Sequence, residues 1–106
     1  MITTNKNSIV WFNEEWHDGS KPIMSSMSQS YMHGSTIFDG ARVYNKSIPD
    51  LHKHCERLIN SSKVMGLIVP ISKTKLIDLC KEGVKFFEDG AELYIRPSIF
   101  CDDGFL

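Results

Sequence analysis

The sequence contains no apolar run approaching the roughly 18 residues that a membrane-spanning helix needs. Its first residues, Met1-Ile2-Thr3-Thr4-Asn5-Lys6, lack the apolar stretch of a secretory signal. Charge of one sign is not in excess: 12 Lys and Arg face 13 Asp and Glu, for a formal net charge of −1. That balance argues against a nucleic-acid binder relying on counterion release from phosphates. Cysteine is scarce, with Cys55, Cys80 and Cys101 odd in number and widely spaced. A disulfide framework uses an even, dense set, so a reducing, cytoplasmic setting is expected. His52, His54 and Cys55 lie close together, but no second pair at ligand spacing follows, so no metal is expected. A glycine-rich phosphate loop, a nucleophile-elbow serine and a defensible acid/base carboxylate pair are all missing.

What remains is an ordinary globular composition of 106 residues, 42% hydrophobic and 24% charged, which disfavours disorder and fibrous repeats. A chain of this size can bury about two thirds of its unfolded surface, enough for one core. Without repeats or an interdomain linker, residues 1–106 read as a single domain.

Residues 8–12, Ser-Ile-Val-Trp-Phe, are β-branched and aromatic and predict a strand. Asn13-Glu14-Glu15 reads as a tight turn and Trp16 as the opening of a return strand, closed by Asp18-Gly19 and Lys21-Pro22. The polar stretch 25–30 has no periodicity and reads as a loop. A strand over about 35–44 is interrupted by Gly40, a glycine that marks a bulge or a close approach by another group. Pro49 and Asp50 announce a helix, the aspartate by side-chain capping, with Leu51, Cys55, Leu58, Ser62 and Met65 on one face and Gly66 as terminator. Pro70 and Ser72 announce another, with Leu76, Leu79, Cys80 and Phe87 buried and Asp89-Gly90 as stop. Residues 93–100 form a last strand carrying Pro97, which places it at an edge or a bulge. The order β-β-β-α-α-β is an α+β pattern with a mainly antiparallel sheet and two helices. Residues 101–106 contain no helix or cap and end on two apolar residues, either a frayed tail or a sign that a C-terminal partner is missing.

Few residues suggest chemistry. Arg57 sits at the margin of an apolar helix face, with His54 nearer that face. It can aim a planar fork at a phosphate or carboxylate, or pair on the surface with Glu56 or another acid. Tyr94 and Arg96 share one strand face, either as a carboxylate-binding pair or as a solvated outer face with Leu93 and Ile95 turned inward. Residues 31–42 crowd polar, aromatic and glycine residues together; Gly34 and Gly40 permit close approach, and His33 is either a hydrogen-bonded loop residue or an imidazole available for chemistry.

Five motifs in order, Ile9-Val10-Trp11-Phe12-Asn13, Gly34-Ser35-Thr36-Ile37-Phe38-Asp39-Gly40-Ala41-Arg42, His54-Cys55-Glu56-Arg57-Leu58, Asn60-Ser61-Ser62-Lys63 through Met65-Gly66-Leu67, and Tyr94-Ile95-Arg96-Pro97, resemble the class IV aminotransferases. The likeness is nearest to branched-chain amino acid aminotransferases, pyridoxal-phosphate enzymes of fold type IV, and spans about 9–100. It implies the small N-terminal domain of such an enzyme, which moves an amino group between an amino acid and a 2-oxo acid. By this resemblance Arg57 binds the phosphate of pyridoxal 5′-phosphate. Phe38, Arg42, Tyr94 and Arg96 then contact substrate.

The chain departs from the family at His33, where tyrosine is usual in the pocket motif, and at Glu14, where the family turns with glycine. His33 leaves branched-chain specificity open. D-amino acid transaminase, amine transaminase and aminodeoxychorismate lyase are the alternatives within the fold. The resemblance also implies a second domain bearing the Schiff-base lysine. Nothing in the chain matches that lysine's motif, and Lys63, Lys73, Lys75, Lys81 and Lys85 all fall in helical regions before the last strand, so the resemblance implies that this chain supplies no catalytic residue and is inactive alone. Family likeness further implies a homodimer, with no nucleic-acid or membrane partner. The rival from another class is a non-catalytic fragment that binds a partner chain or an anionic metabolite.

Overall fold

The computed structural model describes residues 7–102. The terminal motifs read above, 1–6 and 103–106, lie outside the described residues. β1 (Ile9–Phe12) and β2 (Glu15–Asp18) pair antiparallel, from Ile9 opposite Asp18 to Phe12 opposite Glu15. Asn13 and Glu14 join them with φ of 52° and 66°, the double positive φ of a type I′ hairpin turn.

A short helix, α1 (Gln29–His33), occupies part of the stretch expected to be loop, so the described residues hold three helices rather than two. Five residues are too few to show a period, but the end signals were written in the chain. The Ser28 hydroxyl accepts from the Tyr31 amide, and Gly34 closes the helix at φ 70°. Gly34 therefore serves a left-handed cap with open space around it, and of these two glycines only Gly40 is closely approached. Ser30, buried, donates to the Ser35 carbonyl at 2.6 Å and accepts from the Cys101 amide at 2.6 Å, which ties α1 to the end of the last strand.

The expected strand over 35–44 is two short strands, β3 (Thr36–Phe38) and β4 (Ala41–Val43). The expected strand over 93–100 is likewise β5 (Leu93–Ile95) and β6 (Ser98–Phe100). β3 pairs with β6 and β4 with β5, both antiparallel, so the described strands form three two-stranded ladders. The register runs unchanged across the break: Phe38 faces Ser98 on one side of it and Ala41 faces Ile95 on the other. The two pairs are thus one ladder bent at Asp39-Gly40 and Arg96-Pro97.

α2 (Leu51–Val64) and α3 (Lys73–Val84) pack on each other, and α2 also lies against β3 and β6. Leu51, Cys55, Leu58, Ile59, Leu76, Cys80 and Ile99 make the core. Burial pushes the Cys80 thiol up to about 12 and raises Cys55 as well, so both behave as apolar core groups. The Ser62 hydroxyl is fully buried and donates to the Leu58 carbonyl at 2.7 Å.

Three helix-end readings need correction. Asp50 holds the N-cap position of α2 with a left-handed backbone (φ 58°) and makes no side-chain capping bond; its side chain instead approaches Lys53 at 3.9 Å. Met65 is exposed: α2 ends at Val64, Met65 is its C-cap, and Gly66 (φ 80°) turns the chain away directly after it. The Leu67 amide reaches the Ser62 carbonyl and the Gly66 amide the Lys63 carbonyl, a Schellman closure. α3 stops at Val84, short of Phe87: the amides of Lys85, Phe86 and Phe87 reach back only three residues, to the carbonyls of Glu82, Gly83 and Val84, and the Lys46 ammonium also takes up the carbonyls of Val84 (3.3 Å) and Phe87 (2.9 Å). No helix among the described residues is long and apolar enough to cross a membrane.

Candidate functional site

The bend builds the site. Strand side chains alternate, so Ile37, Asp39, Ala41 and Val43 point to the helix side and Phe38, Gly40 and Arg42 to the other. Burial follows that alternation: Ala41 and Val43 are buried, Phe38 and Arg42 exposed. Asp39 is therefore a carboxylate at an inward position, 7% exposed, in a place where an apolar residue is the norm. Its amide donates to the Pro97 carbonyl at 3.1 Å, which holds the bend together.

α2 supplies the partners, because three residues along a helix return to nearly the same face. The Arg57 Nε–H donates to Asp39 Oδ2 at 2.6 Å and its Nη2–H to Oδ1 at 2.8 Å. His54 Nδ1 lies 2.7 Å from the same Oδ1. The Arg57 guanidinium holds the Asp39 carboxyl at about 2, His54 adding to the effect, against the opposing pull of burial. The carboxylate is thus ionised at neutral pH and can only accept. That assigns the proton of the 2.7 Å contact to His54 Nδ1. The 3.4 Å approach of Arg57 Nη2 to His54 Nδ1 is then two donors converging on one oxygen. Glu56, the neighbouring acid, faces Lys73 at 3.5 Å instead.

The Arg57 side chain is 67% exposed although anchored at its root. Of its five N–H donors, two are engaged by Asp39. The outer Nη1/Nη2 edge remains a bidentate fork in an open depression lined by His52, Lys53, Asn60, Ser61 and Glu56, the last paired with Lys73. That edge suits a phosphate.

On the opposite face of the ladder, Phe38 (58% exposed), Arg42, Tyr94 (57% exposed) and Arg96 stand together. Arg42 is the cross-strand partner of Tyr94. The Arg96 guanidinium lies 5.6 Å from the centre of the Phe38 ring, a cation–π arrangement. A Cβ on Gly40 would meet the Tyr94 hydroxyl at 2.5 Å, so the glycine makes room for the tyrosine ring across the bend. The face offers two guanidinium groups, a phenol and an aromatic floor, a set suited to an organic carboxylate with an apolar tail. Leu93 and Ile95 turn inward, as the alternation required.

The structure thus gathers four of the sequence-derived residues on one face and places Arg57 behind it, linked through Asp39. His33 lies on α1, exposed, with no contact to the others among the described residues. Sequence reasoning did not single out Asp39. The signal was available: it interrupts an inward-facing row that continues with Ala41 and Val43, opposite a His-x-x-Arg pair on one helix.

Comparison with known proteins matches this geometry to a family. The family model described as amino-transferase class IV covers residues 36–106. The chain is 29% identical over 106 residues to a probable branched-chain-amino-acid aminotransferase of Rickettsia bellii, covering 95% of this chain and 35% of that protein. It is 31% identical over 114 residues to the branched-chain-amino-acid aminotransferase of Escherichia coli, covering 96% of this chain and 34% of that protein. Its fold superposes on a Brucella abortus aminotransferase bound to the co-factor PLP, with a TM-score of 0.87, 33% identity, and coverage of 91% of this chain and 34% of that one. A branched-chain aminotransferase from Thermoproteus uzoniensis with norvaline gives a TM-score of 0.81 at 29% identity, over 90% of this chain and 33% of that one. The chain belongs to the class IV aminotransferase family and spans about a third of the length of the curated relatives it matches. Its α+β fold is that of the N-terminal part of those structures.

Proposed function

We propose that this chain is the small domain of a pyridoxal-phosphate-dependent aminotransferase that exchanges an amino group between a branched-chain-type amino acid and a 2-oxo acid. A lysine-bearing domain would complete it, in a cytoplasmic homodimer. The observation that carries the reading is the bent ladder, whose one stretch, residues 38–42, serves two sides at once. Inward, Asp39 anchors Arg57 with a free N–H fork; outward, Phe38 and Arg42 stand beside Tyr94 and Arg96.

Bound pyridoxal phosphate would act as the electron sink of the reaction. Arg57 would hold its phosphate through the outer fork, a charge-assisted contact. Arg96 and Arg42 would orient a substrate carboxylate while Phe38 and Tyr94 pack its side chain and exclude water. His33, one helix turn before the ladder, would approach the substrate from the α1 side and bear on which amino acid is accepted.

The test is titration of the full chain with pyridoxal 5′-phosphate and, separately, with pyridoxal, followed by arginine side-chain NMR. The phosphorylated compound should perturb the Arg57 signal and bind at least about tenfold tighter than pyridoxal, with that preference lost in Arg57→Ala. Equal binding of the two compounds, or an unchanged preference in Arg57→Ala, would overturn the phosphate role.

A further inference from the structure

We infer that Asp39 and His54 are positioning residues for the phosphate-holding arginine: together they lock the Arg57 guanidinium so that its outer edge is presented ready-made. The inference rests on the reading of Arg57 given above and assigns roles to two residues behind it.

Three observations carry it. First, Asp39 is buried while its partner is largely exposed, so the rigid end of the pair is the carboxylate and the presented end is the guanidinium. Second, the pairing is two-pronged, at 2.6 and 2.8 Å, which fixes both the rotation and the tilt of a planar group that otherwise swings on a flexible stem. Third, Asp39 is itself held from two more directions, by the His54 Nδ1–H at 2.7 Å and through its own amide to the Pro97 carbonyl. A side chain fixed before the ligand arrives loses less rotamer freedom on binding, which is where preorganisation strengthens affinity. The carboxylate also sits one residue from Phe38, so the arginine is referenced to the same backbone bend that sets the outer face.

Simple electrostatics makes the opposite forecast, and this gives the proposal a sharp edge. Asp39 is an anion next to the place where an anionic phosphate would bind, so removing its charge should strengthen binding if charge alone mattered. If positioning dominates, removing it weakens binding.

The experiment compares Asp39→Asn, Asp39→Glu, His54→Ala and His54→Asn with wild type and Arg57→Ala in the full chain. Pyridoxal 5′-phosphate affinity and the Arg57 Nε–H resonance are measured, with circular dichroism as the check on folding. In wild type that resonance should be a distinct, slowly exchanging signal. Asp39→Asn should collapse it and weaken the affinity about tenfold, and Asp39→Glu should recover both in part. His54→Ala should weaken affinity by about threefold, and His54→Asn, which returns an N–H at the Nδ1 position, should restore it. Tighter or unchanged binding by a folded Asp39→Asn chain overturns the positioning role while leaving that of Arg57 intact. An Arg57→Ala chain that binds like wild type instead sinks the phosphate reading beneath it. Should Asp39→Asn fail to fold, the His54 pair decides alone: wild-type affinity in a folded His54→Ala chain refutes the lock.

Discussion

The two faces of the bent ladder are made of the same strands yet obey different rules. The inner face alternates Ile37, Asp39, Ala41 and Val43, and its one polar member is matched by three hydrogen bonds to side chains of α2. The outer face carries Phe38, Arg42, Tyr94 and Arg96, large groups left exposed, with the Arg96 guanidinium over the Phe38 ring and Arg42 paired across the strands with Tyr94. Residues on the inner face are there to be buried. On the outer face they remain available, and a face that keeps aromatic and guanidinium groups open is arranged for recognition rather than stability.

The widest separation between the faces should come from truncations. Leu58→Ala, beneath the inner face and 1% exposed, should destabilise the chain by about 3 kcal/mol through lost burial and the cavity left behind. Tyr94→Ala, on the outer face, should change stability by about 0.5 kcal/mol or less. Urea unfolding of both variants measures the contrast. Similar losses from both would mean that Tyr94 is a packing residue and the outer face is not a recognition surface.

Next in size is the acid sensitivity of the inner face. The Asp39 carboxyl is lowered from 3.8 to about 2, so its pairing favours the folded chain above about pH 4 and that contribution fades as the pH falls toward 2. Allowing for solvent around the exposed guanidinium, about 1–2 kcal/mol is at stake. The stability difference between wild type and Asp39→Asn should therefore be largest at pH 6 and shrink markedly by pH 2.5. A gap that does not change with pH would show that the asparagine costs stability by geometry alone.

These faces also mark how far the sequence could be read. Helical spacing was enough for α2 and most of α3, because each buries a regular stripe, whereas β1 and β2 were legible from β-branched and aromatic residues and the turn at Asn13-Glu14. The ladder break was legible at Gly40 and Pro97 as an irregularity, but not as one register continuing through a bend, since pairing partners this distant in sequence, from Val43 with Leu93 to Thr36 with Phe100, leave no local mark. Cys55, Cys80 and Ser62 were readable as core by helical spacing alone. The lock was not: Asp39 and Arg57 are each unremarkable surface residue types until the bend turns one inward to meet the other. Asp50 misled for a related reason. An aspartate before a helix is a good cap only if its backbone is extended, and here the preceding turn places it at φ 58°.

The smallest effect compares two turns rather than two faces. Asn13-Glu14 and Asn45-Lys46 both hold positive φ at consecutive residues, 52° and 66° in one, 47° and 65° in the other. Each second residue carries a Cβ into the left-handed region, a cost of roughly 1 kcal/mol relative to glycine. Glu14 is exposed and no hydrogen bond or ion pair of its side chain offsets that cost among the described contacts, so Glu14→Gly should raise stability by about 1 kcal/mol. Lys46 is different, because its ammonium reaches the carbonyls of Val84 and Phe87 and lies 3.6 Å from Asp89. Lys46→Gly should relieve the same strain and lose that closure of α3, for a net change near zero or unfavourable. Thermal melts of the two variants decide: a gain in both would mean the Lys46 contacts contribute little, and a gain in neither would mean the turns are not strained as their φ values indicate.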